Sequence, residues 1–151
     1  MTIIFCDIDG VLNSSANHKD GFSDVEEDKT LLLKELIEKL EAKLIITSKV
    51  RFNNIQELRI NSIKNFGINV DDYFKGTFFS PTSKANECLG YLQFHFPNFD
   101  FDKDRLIILD DQDDGFTACD IFKDSFFLVD SKTGLTIDKV EEIYKNGVND
   151  E

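Results

Sequence analysis

The apolar residues of this chain fall into two kinds of run. Four short runs are continuous: TIIFC at 2–6, KLIIT at 43–47, RLIIL at 105–109 and FFLV at 126–129. Their length and their β-branched and aromatic content predict buried strands. A shorter apolar piece at 76–79 is a further strand candidate. Between these runs, apolar positions recur at helical spacing. Residues 28–40 set Leu32, Leu33, Leu36, Ile37 and Leu40 on one face, with charges between them. Residues 52–66 do the same with Ile55, Leu58, Ile63 and Phe66, and Gly67 supplies a stop. A helix over 83–95 ends before Pro97. A closing helix over 136–146 turns Ile137, Val140, Ile143 and Tyr144 inward. The polar stretch 13–27, which contains Gly21, reads as loop.

Strands that are apolar throughout must be covered on both faces, which is the signature of a parallel sheet. Their alternation with helices predicts an α/β fold: a three-layer, Rossmann-like domain with a central parallel sheet, helices on both faces and no separate cap domain. A chain of 151 residues suits one such core, expected over residues 1–147 with a frayed tail at 148–151. Ligands of these sheets bind beyond the carboxyl ends of the strands. The residues that follow each strand therefore matter most.

Those positions are polar at every strand end. Asp7 and Asp9 follow the first strand; Thr47 and Ser48 end the second. Lys84 stands where the third helix begins, and Asp110, Asp111, Asp113 and Asp114 follow the RLIIL strand. Two carboxylates crowded after a buried strand repel each other unless something positive joins them. Two acidic clusters brought to one sheet edge suit a hard cation such as Mg²⁺. With a lysine and a hydroxyl beside it, such a cation makes a cradle for a phosphoryl group. One aspartate can then act as nucleophile and a second as general acid and base. Each feature has a plainer reading alone. Asp7 and Asp9 could mark a turn, Asp110 and Asp111 a solvated loop, and Asp113 and Asp114 a helix cap. Lys84 could be a surface lysine, although a helix N-terminus disfavours a cation.

DIDGVLN, residues 7–13, resembles the first motif of the haloacid dehalogenase (HAD) superfamily of aspartate-nucleophile phosphohydrolases. Thr47 in LIITS resembles the second motif, Lys84 the third, and Asp110 and Asp111 in ILDD the fourth, all in order over residues 7–111. TSKVR at 47–51 and LVDSKTGLT at 128–136 resemble segments of a small capless branch found in RNA-repair proteins, with Val50 where that branch carries Trp. The resemblance implies a Mg²⁺-dependent phosphatase. Asp7 would be nucleophile and metal ligand, and Asp9 the acid and base, lending its backbone carbonyl to the metal. Thr47 would bind phosphoryl oxygens, with Ser48 its competitor one register step away. Lys84 would hold the phosphate, and Asp111 would ligate the metal with Asp110 in support. Either Asp113 or Asp114 would be a distal acid. Arg51 would add a positive charge beside the phosphate. A non-catalytic domain that binds phosphate or a partner is the alternative.

Composition narrows the partners. The net charge is −12, from 29 acidic and 17 basic side chains. Such a surface disfavours non-specific nucleic-acid binding, while leaving a nucleic-acid end at a small site open. No run suggests a signal peptide or a membrane span. Cys6, Cys88 and Cys119 are scattered and read as reduced, buried thiols of a cytoplasmic protein. His18 and His95 lack metal-like spacing, and Phe94, Phe96, Phe99 and Phe101 read as core. Neither gap between motifs holds a folded cap, so the site should be open, suited to a phosphate on something large or to a small-molecule phosphate if another subunit supplies the lid. The loop from Asn13 to Asp28, with Asn13, Ser14, His18 and Lys19, is the candidate flap.

Overall fold

The structure is a computed structural model that describes residues 1–14, 24–48, 53–75 and 82–148. In chain order it runs β1 (Thr2–Cys6), α1 (Glu27–Leu40), β2 (Lys43–Ile46), α2 (Asn53–Asn65), β3 (Asp72–Tyr73), α3 (Lys84–His95), β4 (Arg105–Asp110), β5 (Phe126–Leu128) and α4 (Ile137–Val148). The five strands form one sheet in the order β3-β2-β1-β4-β5, every pairing parallel. The expected α/β, three-layer Rossmann-like arrangement is therefore present.

Side chains alternate across a strand, so a strand covered on both sides must be apolar at every position. Ile4 and Cys6 of β1, with Leu44, Ile46, Ile107 and Leu109, face a core closed by Leu33 and Leu36 of α1, Ile60 and Ile63 of α2, and Val140 and Ile143 of α4. Ile3 and Phe5, with Ile45, Leu106 and Ile108, face a second core closed by Ala85, Cys88 and Leu92 of α3 and by Phe116 and Phe122. Full burial of one such aliphatic or aromatic side chain contributes about 1.5–3 kcal/mol.

Several inward assignments need correction. Leu58 is 65% exposed, because α2 turns Gln56, Arg59, Ile60 and Ile63 inward instead. Ile137, the first residue of α4, is exposed, and Phe94 is exposed beside His95. Phe101 is also partly exposed, whereas Phe96 and Phe99 pack against the second core. The third strand of the sheet is Asp72–Tyr73, a pair without an apolar run, tied to β2 by Asp71 N–H to Leu44 O and Phe74 N–H to Ile46 O. The strand candidate at 76–79 lies outside the described residues. α4 reaches Val148, one residue into the stretch read as tail.

The strand order places the site. From β1 the sheet runs one way through β2 to β3 and the other way through β4 to β5. That reversal opens a crevice at the carboxyl ends of β1 and β4. Cys6 pairs with Leu109, so the next residues outward, Asp7 and Asp110, stand side by side above the sheet.

Candidate active site

Asp7 leaves β1 with its N–H donating to Leu109 O at 2.9 Å, which fixes the backbone beneath its carboxylate. Carboxylate oxygens of Asp7, Asp110 and Asp111 lie within 4.8 Å of one another, and among the described residues this is the carboxylate group close enough to share one ion. Lys84 projects from the first turn of α3 toward them. Its Nζ donates to Asp110 Oδ2 at 2.8 Å and stands 3.6 Å from Asp7 Oδ1. Asp110 Oδ1 also accepts the Gln112 N–H at 3.1 Å, which holds that carboxylate in place.

Gly10 makes room for this convergence. Its φ is +81°, a left-handed conformation, and a Cβ there would stand 2.4 Å from Asp111 Oδ2. The glycine beside the two aspartates thus serves the approach of a carboxylate from β4 as well as the turn of the chain.

The electrostatics match a site that is short of positive charge. Burial pushes the Asp7 pKa up to about 8, against the pull of Lys84, with Asp110 and Asp111 adding to the rise. Burial also raises Asp111, reinforced by Asp110 beside it. For Lys84 burial works the other way, yet the Asp7 and Asp110 carboxylates outweigh it and hold the ammonium above the ordinary lysine range. One lysine does not neutralise three carboxylates. The donor set is all oxygen and the carboxylates converge, which fits a hard divalent cation.

Asp9 lines the same cleft but is not one of the three clustered carboxylates. Its carboxylate is held by both Nη groups of Arg59 on α2, one at 3.2 Å to Oδ2 and the other closely on Oδ1. Asn13 Nδ2 donates to Asp9 Oδ1 at 3.1 Å, and Asn13 Oδ1 accepts the Gly10 N–H at 2.9 Å. Asn13 is therefore a buried brace of the first motif, not part of a swinging flap. Ser14 is buried too, its N–H donating to Glu26 Oε2 at 2.7 Å. His18 and Lys19 lie outside the described residues, as does Arg51.

Ser48 lines the cleft, and Thr47 is buried without lining it. Gln56 Nε2 anchors the Ser48 carbonyl at 2.6 Å. Asp114 and Asp113 part company. Asp114 accepts the Lys84 N–H through Oδ2 at 3.2 Å and the Ala85 N–H through its carbonyl at 3.1 Å, so it seats the start of α3 at the cleft. Asp113 instead holds Thr117, and those hydrogen bonds lower its pKa. Ser83 caps α3 by accepting the Asn86 N–H at 3.2 Å.

Asp7, Asp9, Ser48, Lys84, Asp110, Asp111 and Asp114 border an open cavity of about 470 Å³, with Thr82, Glu87 and Gln112 on its walls. Arg59 and Gln56 are absent from the sequence reading. Their signal was their spacing with Ile60 and Ile63, which puts all four on one helical stripe.

Residues 3–140 match the family described as the HAD domain in Swiss Army Knife RNA repair proteins. The chain belongs to this family. That assignment agrees with the four motifs and with the sheet that carries them. HAD domains are generally hydrolases of the phosphatase kind and typically use Mg²⁺, and the three carboxylates here are a place where this HAD domain could hold one. None of the curated proteins matches the chain by sequence. No helix among the described residues is long and apolar enough to cross a membrane.

Proposed function

We propose that this HAD domain is a Mg²⁺-dependent phosphatase that hydrolyses phosphate monoesters through a phosphoaspartyl intermediate on Asp7. The observation that carries the reading is the convergence of Asp7, Asp110 and Asp111 beside Lys84 at the carboxyl ends of β1 and β4. Asp7, Asp110 and Asp111 would hold the cation, joined by the Asp9 backbone carbonyl. Bound there, Mg²⁺ would offset negative charge on the phosphoryl oxygens.

In the first step an Asp7 carboxylate oxygen attacks phosphorus, the bond to the leaving oxygen breaks, and that oxygen takes a proton from the Asp9 carboxyl. In the second step water attacks the phosphoaspartate, Asp9 takes the water proton, and Asp7 leaves as a free carboxylate. Lys84 binds the phosphoryl group and offsets the charge that gathers on it. Ser48 is better placed than Thr47 to hydrogen-bond phosphoryl oxygens, because Ser48 borders the cleft. Arg51 and the 15–23 segment are further candidates for substrate contact.

The open cleft supports a substrate larger than the phosphate itself. The family's occurrence in RNA-repair proteins makes a phosphorylated nucleic-acid end the first candidate. With a net charge of −12, contact would be confined to the end and not extended along the strand.

A panel of phosphate esters that includes 5′- and 3′-phosphorylated oligonucleotides tests the reading. Hydrolysis should require Mg²⁺ and fall by at least about 10³-fold in Asp7→Asn, which removes the nucleophile. Phosphate binding without turnover in the wild type would support the non-catalytic alternative instead.

A further inference from the structure

We propose that Arg59 is a positioning residue for the acid–base group: from α2 it fixes the Asp9 carboxyl at the rim of the cleft, apart from the three-carboxylate cluster. The inference rests on the phosphatase reading above.

Asp9 sits two residues beyond the nucleophile, on a turn, with its side chain 41% exposed. A short carboxylate so exposed would ordinarily sample several rotamers. Here both its oxygens are engaged by Arg59, and Asn13 donates to one of them. Two N–H groups from one planar guanidinium fix orientation as well as distance, which an ammonium cannot do.

The position of Arg59 is hard to explain by stability. Its side chain is 97% buried, on the stripe where Ile60 and Ile63 meet the core. Among the described residues its Nε has no hydrogen-bond partner. Replacing a buried ion pair with apolar side chains is often neutral or stabilising, so packing alone would favour an aliphatic residue at 59. A charged group kept where local packing disfavours it points to a role in the site. Gln56, one turn earlier on the same stripe, fixes the Ser48 carbonyl at the same cleft. α2 thus braces the site from beneath at two points.

A residue that positions the proton donor matters in proportion to how much the leaving group needs a proton. The wild type, Arg59→Gln and Arg59→Lys are compared on an alkyl phosphate, whose leaving oxygen must be protonated, and on 2,4-dinitrophenyl phosphate, whose leaving oxygen need not be. In Arg59→Gln, kcat/KM, which reports the steps up to departure of the leaving group and not the shared hydrolysis of the phosphoaspartate, should fall about 100-fold for the alkyl ester while the activated ester loses less than about 5-fold. Arg59→Lys should recover part of the loss on the alkyl ester, and it carries the same comparison if the glutamine variant does not fold. In an Asp9→Asn background, Arg59→Gln should add little further loss. Equal losses on both esters, no loss on either, or full additivity with Asp9→Asn would overturn the positioning role while leaving the phosphatase reading intact. A wild type inactive on both esters would overturn both.

Discussion

Asp7 is asked to carry a negative charge where burial resists it. In the unfolded chain its carboxyl ionises near pH 4, while in the folded protein its pKa is pushed up to about 8. Between those values the unfolded chain has released a proton that the folded chain retains. Stability contributed at this residue therefore falls as pH rises from about 4 to 8, and the full penalty is present above 8. Asparagine resembles the neutral acid and escapes the penalty. Thermal unfolding without divalent cation should show Asp7→Asn and wild type close together near pH 4. At pH 8.5 the variant should melt higher than the wild type by several degrees, the gap having opened progressively as pH rises from about 4 to 8. A wild type that gains stability relative to the variant over that range would contradict the burial argument. Excess Mg²⁺ should close the gap at pH 8.5, because it binds the ionised form and stabilises only the folded state. Among individual residues, Asp7, Lys84, Asp110 and Asp111 were readable from the sequence because each follows a strand or opens a helix. Gly10 could not be read as the space that admits Asp111, since that role depends on which strand lies beside β1.

At the scale of elements, α2 shows where periodicity succeeds and where it misleads. Residues 52–66 were recognisable as a helix with Ile63 inward, yet Leu58 was assigned to the inner face in place of Arg59. Leu58 was placed inward by hydrophobicity, and Arg59, a charged residue, was not considered for the inner face. The site reverses that preference, because Arg59 has a carboxylate to meet and Leu58 does not. Leu58→Ala should accordingly change stability by no more than about 0.5 kcal/mol in urea unfolding. Ile63→Ala on the buried stripe should cost about 2–4 kcal/mol. Similar costs for the two would mean that the helix is rotated from the orientation described. β3 went unread for a different reason: Asp72 and Tyr73 carry no apolar run, and the pair joins the sheet through backbone hydrogen bonds to β2. The sequence pattern of an edge strand this short is indistinguishable from loop. The loop after Leu12 shows the converse. Its polar residues Asn13 and Ser14 resembled a mobile flap but are buried, because the backbone groups of the first motif needed internal partners.

At the scale of the whole molecule, the determining feature is the order of the strands. The four apolar runs announced a parallel sheet covered on both faces, and that much followed from hydrophobic pattern. Their order did not, because RLIIL and KLIIT present nearly the same apolar surface to a neighbour. The order decides the chemistry. With β1 between β2 and β4, the first acidic motif meets the fourth directly, and residues 103 positions apart come to share one edge. The surrounding surface carries a net charge of −12, which favours cation uptake into this cleft and disfavours long polyanionic ligands. Calorimetric titration of Mg²⁺ into the wild type and into Asp7→Asn, Asp110→Asn and Asp111→Asn at pH 8.5 tests this arrangement most directly. One ion should bind per wild-type chain, and each substitution should weaken that site at least about 10-fold, as loss of one of three ligand carboxylates requires. No Mg²⁺ binding to the wild type, or binding that all three substitutions leave unchanged, would contradict the shared site on which this account stands.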